Sequence, residues 1–371
     1  MRKLRREKKR RRKNGERKEE DILSNLPEGV LLYIMEFFPT REAVQSTVLS
    51  KRWKNLWKSL TSLSFKLFNG IRKYNKFVSG VLSNRDHSVS LHNLHLTVFN
   101  SSAPKLLNNA MKYAALHHLQ KLTLAIDFKF KEIPNTFFPL IFNCQSLTFL
   151  DLFITSSRSS LKLPPSLLLP SLETLHLFNV TFTAIENTCA EPFSTCTSLT
   201  TLVLRHSMHH QSTQTLCISN PSISTLKLEN MGHSHTFVPK IVFSVPNLSS
   251  FTLENSHSSM CYELSSTCNF PFLKEVKIDN RVRVHSSIII NWLALFSNVR
   301  TLTLSSHTLY IFLKDFYLGI MDIQPPYFSR LESFKIEMGF NSNMISEDEV
   351  NMVLEYLVQN CGTTNIDVIE C

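Results

Sequence analysis

Residues 171–182 read Ser-Leu-Glu-Thr-Leu-His-Leu-Phe-Asn-Val-Thr-Phe. The leucines at 172, 175 and 177 define a template, L-x-x-L-x-L, that recurs along the chain with Ile, Val or Phe at some positions. Copies begin at Leu91, Leu119, Leu147, Leu172, Leu199, Ile223, Leu248, Leu273, Val299 and Leu331. Successive copies start 24 to 28 residues apart, except for a last interval of 32. Ten copies at a nearly constant period predict a repeat architecture.

This period is typical of leucine-rich repeats, which are ~20–29 residues long. Each copy predicts a short strand whose positions 4 and 6 face inward, while positions 3, 5 and 7 face a concave surface. Stacked copies would bury one continuous leucine core. Between strands, residues 106–117 and 286–297 predict helices, and 162–170 an irregular return. Asparagine recurs after the strand, which predicts a turn there but not by itself a buried asparagine ladder. These asparagines are Asn179, Asn230, Asn255 and Asn280.

A different pattern precedes the repeats. Leu26-Pro27 predicts the start of a helix that Pro39 ends, and Thr40 and Ser50 are candidate caps of two further helices. In the third, apolar residues at i, i+3, i+4 and i+7 are Trp53, Leu56, Trp57 and Leu60. Three short helices in about 40 residues form a unit too small to be very stable alone. Such a unit indicates a partner.

The whole chain therefore predicts an α+β protein. A three-helix unit would precede an α/β leucine-rich-repeat solenoid of about ten irregular repeats, and residues 346–360 and 366–369 would close the array as a helix and a strand. The predicted divisions are a disordered basic tail at 1–20, the helical unit at 21–60, a connecting segment at 61–90, the repeat array at 91–345 and a C-terminal cap at 346–371.

Composition excludes several function classes. The 8 glycines never come within six positions of each other, so the glycine-rich phosphate-binding loops and the serine-hydrolase elbow are absent from the sequence. No constellation predicts an enzyme or a cofactor, and nothing marks a small-ligand pocket. We expect no signal peptide, no membrane span and reduced cysteines, because the 8 cysteines are scattered. His206, His209 and His210 favour a surface loop over a metal site.

The net charge of +10 belongs mainly to the first 20 residues. They hold 12 Lys or Arg and 4 Asp or Glu, so this tail alone carries +8. Its basic run is typical of a nuclear import signal, and it can equally bind nucleic acid through phosphate attraction. The run consists of Lys8, Lys9, Arg10, Arg11, Arg12 and Lys13. Because the remaining chain is nearly neutral, a nucleic-acid-binding body is not expected.

Three stretches together resemble the plant F-box/leucine-rich-repeat proteins. The first is the F-box-like run from Asp21-Ile22 through Leu26-Pro27-Glu28 to Val48-Leu-Ser-Lys-Arg-Trp53 and Leu56-Trp57. The second is the repeat unit at 171–182. The third runs from Leu331-Glu-Ser-Phe334 to Asn360 and is similar to a divergent C-terminal FBD segment. The resemblance spans residues 21–371, with residues 21–60 as the F-box.

The resemblance implies a substrate receptor of a Skp-cullin-F-box (SCF) ubiquitin ligase that performs no chemistry itself. The F-box would bind a Skp-family adaptor, and through it a cullin and a RING protein, while the repeats bind an unknown target protein. The implied adaptor-binding residues are Leu26, Pro27, Leu31, Ile34, Pro39, Val44, Val48 and Leu49, each of which can instead pack within the module. Trp53 and Trp57 are expected partly in its core. The implied location is the nucleus, the cytoplasm or both.

The concave face is the surface on which a solenoid usually binds its target. Phe149, Phe153 and Phe178 fall at its predicted positions and are candidate anchors, unless a shift of strand register turns them into the core. Lys227 and Lys277 belong to a mixed-charge ribbon that can select a target or remain a solvated face. The alternative to the ligase receptor is a nuclear, nucleic-acid-associated or scaffold protein that acts through the basic tail.

Overall fold

The computed structural model describes residues 25–66, 70–99, 103–127, 141–142, 144–155, 161–184, 189–209, 215–231, 240–256, 262–321, 323–338, 345–359, 361 and 365–370. Within these ranges the α-helices are α1 (Glu28–Glu36), α2 (Thr40–Gln45), α3 (Ile71–Asn84), α4 (Ala103–Leu116), α5 (Ser286–Leu295), α6 (Ser306–Tyr317) and α7 (Glu347–Val358). Two 3-10 helices span Ser46–Val48 and Leu56–Ser59. The fold is mixed α/β.

Parallel strands form the body of the protein. The main sheet has twelve described strands: β1 (Ser62–Phe65), β2 (Asn93–Phe99), β3 (Lys121–Asp127), β4 (Phe149–Thr155), β6 (Thr174–Phe178), β9 (Thr201–Arg205), β12 (Thr225–Glu229), β14 (Ser250–Asn255), β16 (Glu275–Asn280), β17 (Thr301–Ser305), β18 (Ser333–Met338) and β19 (Asn365–Glu370). They lie side by side in chain order. Every one of the ten L-x-x-L-x-L copies places its fourth and sixth residues in one of these strands.

Alternate residues of these strands separate the two faces of the sheet. In β2 to β18 the fourth and sixth template residues are at most 1% exposed, whereas the residues between them on the other face are mostly half-buried. The registers of neighbouring strands keep equivalent positions opposite one another, for example Leu226 opposite Leu202 and Phe251. The predicted inward positions are therefore correct, and the other side is the open face of the sheet.

The segments that connect successive strands of the main sheet differ from the prediction in the middle of the chain. Helices α4 and α5 follow the predicted helical returns. Elsewhere short strands form two further parallel sheets, one of β5 (Leu161–Lys162), β7 (Val180–Phe182) and β10 (Met208–His209), the other of β8 (Cys189–Ala190), β11 (Thr215–Ser219), β13 (Lys240–Ser244) and β15 (Glu263–Ser266). In β11 and β13, alternate apolar residues are buried, which favours a strand because successive side chains point to opposite faces.

The third helix of the N-terminal unit is a correction. Residues 51–55 form turns, followed by the 3-10 helix Leu56–Ser59. The N–H groups of Trp53 and Lys54 donate to carbonyls three residues earlier, so the winding is tighter than an α-helix. The spacing of four apolar residues in one short segment does not distinguish an α-helix from a 3-10 helix. Trp53, Leu56, Trp57 and Leu60 are nevertheless all buried, as their spacing predicts.

Thr40 does not cap α2 but joins it to the sheet. Pro39 occupies the N-cap, and the buried hydroxyl of Thr40 accepts a hydrogen bond from the N–H of Ser64, 2.8 Å away in β1. The N–H of His92 in turn donates to the carbonyl of Thr61. The segment at 61–90 is thus more than a connector, because it supplies the first strand of the main sheet and α3.

The recurring asparagines are buried and hydrogen-bonded; Asn179 and Asn230 follow their strands, whereas Asn255 and Asn280 are the last residues of β14 and β16. Asn179 and Asn230 have φ of 58° and 51°, the left-handed region that asparagine tolerates in turns. Asn255 and Asn280 are stacked instead: the Nδ2 of Asn255 donates to the Oδ1 of Asn280 at 3.0 Å. The hydroxyl of Tyr262 donates to the Oδ1 of Asn255 at 3.0 Å. These side chains satisfy backbone and polar groups between neighbouring units.

Replacing Asn255 by alanine should destabilise the protein by about 1–3 kcal/mol, because it leaves buried partners at Asn280 and Tyr262 unsatisfied. The matched control is Asn247→Ala, since Asn247 is exposed and donates only to the carbonyl of Pro221. The control should change the free energy of unfolding by no more than about 0.5 kcal/mol. Urea unfolding measures both. Equal effects of the two substitutions would contradict the structural role of the Asn255–Asn280 pair.

The expectation of reduced cysteines is wrong for one pair. Cys189 in β8 and Cys217 in β11 form a disulfide whose Cα atoms are 6.2 Å apart. The two strands are adjacent and parallel, which is the proximity that a disulfide needs. The pairing joins residues 28 apart in sequence, so only the position of the return strands reveals it. Cys144, Cys196, Cys268 and Cys361 are free thiols.

Candidate functional site

The helical unit exposes two groups of apolar side chains. On α1 and just after it, Val30, Tyr33, Phe37 and Phe38 are exposed, and the rings of Tyr33 and Phe37 meet edge to face at 5.0 Å. At the end of the 3-10 helix Ser46–Val48, Val48 is 86% exposed and the next residue, Leu49, is 63% exposed. We call these six residues the apolar surface of the helical unit. Several exposed apolar residues on one small domain are typical of an interaction surface.

The residues beneath this surface explain why it is not buried. Leu31 and Met35 on α1 are completely buried, and α1 packs against the 3-10 helix Leu56–Ser59. Trp53 and Trp57 are at most 9% exposed and fill the interior of the unit. One side of α1 therefore builds the core, which leaves the opposite side available to solvent.

The predicted adaptor-binding residues fall into three groups. Pro27, Val48 and Leu49 are exposed; Leu26, Ile34, Pro39 and Val44 are half-buried; Leu31 is fully buried. Leu31 has no accessible surface in the free chain and belongs to the core of the helical unit, so its role as an adaptor contact stays a prediction. The sequence missed Val30, Tyr33, Phe37 and Phe38. Their exposure follows from the orientation of α1, which short-range periodicity does not determine. The adaptor contacts themselves remain predictions.

The open face of the main sheet brings two of the three candidate phenylalanines together. Phe153 and Phe178 lie opposite each other on β4 and β6, with ring centroids 4.2 Å apart. His206 extends this row, because its ring lies 4.9 Å from that of Phe178. Phe149 lies apart from the row: it begins β4, four residues before Phe153, and contacts His176 at 5.4 Å. The aromatic row thus consists of Phe153, Phe178 and His206.

Burial shapes the electrostatics beside this row. Desolvation lowers the pKa of His176 and of His95, each against the opposing effect of Asp151. Both imidazoles therefore favour their neutral form, which suits a surface that binds apolar or uncharged groups. His206, one of the three histidines considered for a metal, directly follows β9, and its ring is tilted against that of Phe178, while His210 lies outside the described residues. No described group of three or more His, Cys, Asp or Glu side chains could hold a metal ion.

Further along the open face, the candidate lysines are paired with acids. The Nζ of Lys227 is 2.8 Å from a carboxylate oxygen of Glu254, and that of Lys277 is 2.6 Å from Glu337. Burial alone would lower the pKa of Lys277. The hydrogen bond to Glu337 and the negative charges of Glu337, Glu254 and Asp279 outweigh this effect, so the pKa of Lys277 is raised. The ribbon is thus largely neutralised within itself. Whether it contacts a target remains a prediction.

The basic run from Lys8 to Lys13 lies outside the described residues. Among the helices that the structure describes, none combines the length and the apolar character needed to cross a membrane.

Comparisons with known proteins agree with this architecture. A family model of the F-box domain matches residues 23–65, which include the helical unit and β1. The chain is 32% identical over 239 residues to an F-box/FBD/LRR-repeat protein of Arabidopsis thaliana, covering 62% of this chain and 52% of the relative. An FBD-associated F-box protein of the same plant is 29% identical over 302 residues, 77% of this chain and 67% of the relative. An F-box/LRR-repeat protein is 28% identical over 286 residues, 75% of this chain and 81% of the relative.

The chain thus contains an F-box at its N-terminal side, followed by a parallel sheet. Its similarity to the Arabidopsis proteins supports a plant F-box/leucine-rich-repeat protein with an FBD-like region. The match covers about half the length of some of these relatives.

Proposed function

We propose that the protein is the substrate-recognition subunit of an SCF ubiquitin ligase. One observation carries the proposal: an F-box at 23–65 keeps its tryptophans inside and leaves six apolar side chains exposed. A Skp-family adaptor is the partner that an F-box implies. Docking would bury the apolar surface of the helical unit, as expected for the core of a protein interface. The adaptor would then connect the chain to a cullin and a RING protein.

In this proposal the ten strands with the L-x-x-L-x-L template are ten leucine-rich repeats that hold the target. The aromatic row of Phe153, Phe178 and His206 is the preferred anchor, because aromatic side chains supply much of the binding energy of protein interfaces. The receptor contributes no catalytic group. It raises the effective concentration of the target's lysines near the charged conjugating enzyme.

Hydrogen bonds at the junction between the two parts support this role. The hydroxyl of Thr40 accepts from the N–H of Ser64 in β1, and the carbonyl of Thr61 accepts from the N–H of His92, just before β2. A target held on the open face would therefore keep a defined distance from the adaptor. A stiff connection of this kind favours productive geometry over free diffusion of the bound target.

The test is co-purification of the full chain with a plant Skp-family adaptor and its cullin. A stable complex of defined stoichiometry is the expected result. A folded chain that binds no adaptor, in an assay where a known F-box protein does bind, would refute the proposal. Variants that locate the docking surface are treated in the Discussion.

We also propose that Lys8, Lys9, Arg10, Arg11, Arg12 and Lys13 direct nuclear import. Replacing all six by glutamine in a fluorescent fusion should move the protein from the nucleus to the cytoplasm. If the tail instead binds nucleic acid, the same variant loses an association that weakens steeply with salt, because each phosphate contact releases counterions. An unchanged distribution and unchanged nucleic-acid binding would leave the tail without either role.

A further inference from the structure

A cavity of about 500 Å³ opens at the carboxyl ends of β16 and β17. Asn280 ends β16, the loop 281–285 leads into α5, and Ser306 begins α6 directly after β17. Parallel sheets commonly bind ligands at the carboxyl ends of their strands, because the loops and helix starts converge there. The size also lies within the usual range for small-molecule sites, ~300–1,000 Å³.

The walls of the cavity are cationic. Arg281, Arg283 and Lys314 contribute to the lining, and none of the described lining residues is acidic. Arg281 is paired with Asp279, its Nη2 being 3.1 Å from the carboxylate. Arg283 and Lys314 are exposed, and neither forms an ion pair within the part of the chain that the structure describes. The cavity thus presents two uncompensated positive charges.

The nearby carboxylates do not neutralise these charges, since they are engaged elsewhere. Asp279 also accepts a hydrogen bond from the hydroxyl of Ser305 at 2.6 Å. Glu337 pairs with Lys277 on the open face. Asp315 is buried and accepts the N–H of Ser286 at 2.7 Å, with His285 3.8 Å away. These carboxylates therefore have other partners, and the positive charge at the cavity comes from Arg283 and Lys314.

The rest of the lining combines three polar residues, Asn280, Ser306 and His307, with an apolar wall. Val282, Val284, Ile311 and Ile345 line the cavity together with Tyr310, which is 54% exposed and offers its ring at the rim. An inorganic anion would leave this apolar wall unused, and a neutral apolar compound would leave the cations unused. A ligand that uses both needs an anionic group joined to an apolar body.

We propose that this cavity binds a small organic anion, in which a carboxylate, sulfonate or phosphate group contacts Arg283 and Lys314 and a ring-containing apolar body packs against Tyr310 and Ile311. The site lies at the carboxyl ends of β16 and β17, and none of its residues belongs to the apolar surface of the helical unit. Ligand binding here does not depend on the ligase role.

The experiment is a fluorescence titration of the full chain with 1-anilinonaphthalene-8-sulfonate, a dye with a sulfonate on an aromatic body. Dye binding to the wild-type protein should include one saturable component. Phenyl phosphate should displace the dye from this site, and benzyl alcohol should not. The double variant Arg283→Glu/Lys314→Glu should bind that component at least tenfold more weakly. The charge-matched control, Lys105→Glu/Lys112→Glu on α4, changes two exposed lysines outside the cavity and should bind as wild type.

Two results would overturn the proposal. One is equal dye affinity in wild type and the cavity variant, which would assign the dye to other apolar surfaces. The other is an equal loss in the cavity variant and the control, which would reflect net charge alone. Circular dichroism checks folding, and Arg283→Gln/Lys314→Gln replaces the first variant if charge reversal unfolds the chain. The glutamine variant must also lose at least severalfold affinity.

Discussion

Replacing Val48 and Leu49 by aspartate should weaken binding of a Skp-family adaptor by at least a hundredfold. Both side chains are largely exposed, so the substitutions remove no core contact from the free protein. Burying an aliphatic side chain at an interface contributes about 1.5–3 kcal/mol. Losing two such contacts, with two carboxylates left to desolvate, therefore amounts to two or more powers of ten in Kd, at about 1.4 kcal/mol for each.

Isothermal titration calorimetry with purified adaptor measures this effect. The matched control is Phe272→Asp/Leu318→Asp, which places two carboxylates at apolar residues that are 61% and 60% exposed outside the F-box. The control should bind the adaptor as wild type does. Full affinity in the Val48/Leu49 variant would show that the adaptor docks elsewhere, and an equal loss in the control would indicate a general effect of charge on the chain.

The choice of Val48 and Leu49 over Leu31 shows what the sequence alone can predict. The resemblance to an F-box implies an adaptor-facing position for all three, and it leaves packing within the module open for each. The structure separates them, because Leu31 lies on the side of α1 that packs inward. A motif records which residue types recur, whereas exposure depends on how α1 and the 3-10 segments pack. Exposed Tyr33 and Phe37 escaped notice for the same reason.

The strands of the repeats could be predicted from the sequence far more completely than the exposed surface of the F-box. A leucine template at nearly constant period places one strand per copy, since each copy must bury the same positions against its neighbours. The segments between these strands need not bury the same positions in every copy. Where apolar residues alternate over only a few positions, as in Ile241 and Phe243, a strand and an irregular loop have similar patterns, so β11 and β13 were missed. The Cys189–Cys217 disulfide depends on those strands and was missed with them.

The cationic cavity illustrates a third limit. Arg281 and Arg283 follow one strand, Lys314 lies on the helix after the next, and Ile345 precedes the last helix. No local pattern joins these positions. They meet because parallel strands in sequence order bring successive carboxyl ends to one edge of the sheet. The sequence pattern therefore does not predict a small-ligand pocket, because the residues that line it are far apart along the chain.

Arg85→Ala should have the largest effect on stability, about 3–5 kcal/mol. Arg85 is only 2% exposed, and its guanidinium donates to the carbonyls of Leu60, Val89 and Ser90 and to the hydroxyl of Tyr113, at 2.6–2.9 Å. It therefore joins the end of the F-box, the loop after α3 and helix α4. Truncation leaves the buried carbonyl of Leu60 and the part-buried carbonyls of Val89 and Ser90 without their charged donor, and each unsatisfied buried group costs about 1–3 kcal/mol. Against a total stability of about 5–15 kcal/mol, this loss is severe.

Urea unfolding followed by tryptophan fluorescence tests this effect in both parts of the chain, because Trp53 and Trp57 lie in the F-box and Trp292 lies in α5. The control is Arg72→Ala, an exposed arginine on α3, the helix that Arg85 directly follows; it should change stability by no more than about 0.5 kcal/mol. Arg85→Lys distinguishes charge from geometry: a lysine keeps the charge but lacks the planar fork that reaches four acceptors, so it should recover only a small part of the loss. Equal midpoints for Arg85→Ala and Arg72→Ala would show that the junction tolerates the loss of Arg85. Full recovery by lysine would assign its role to charge alone.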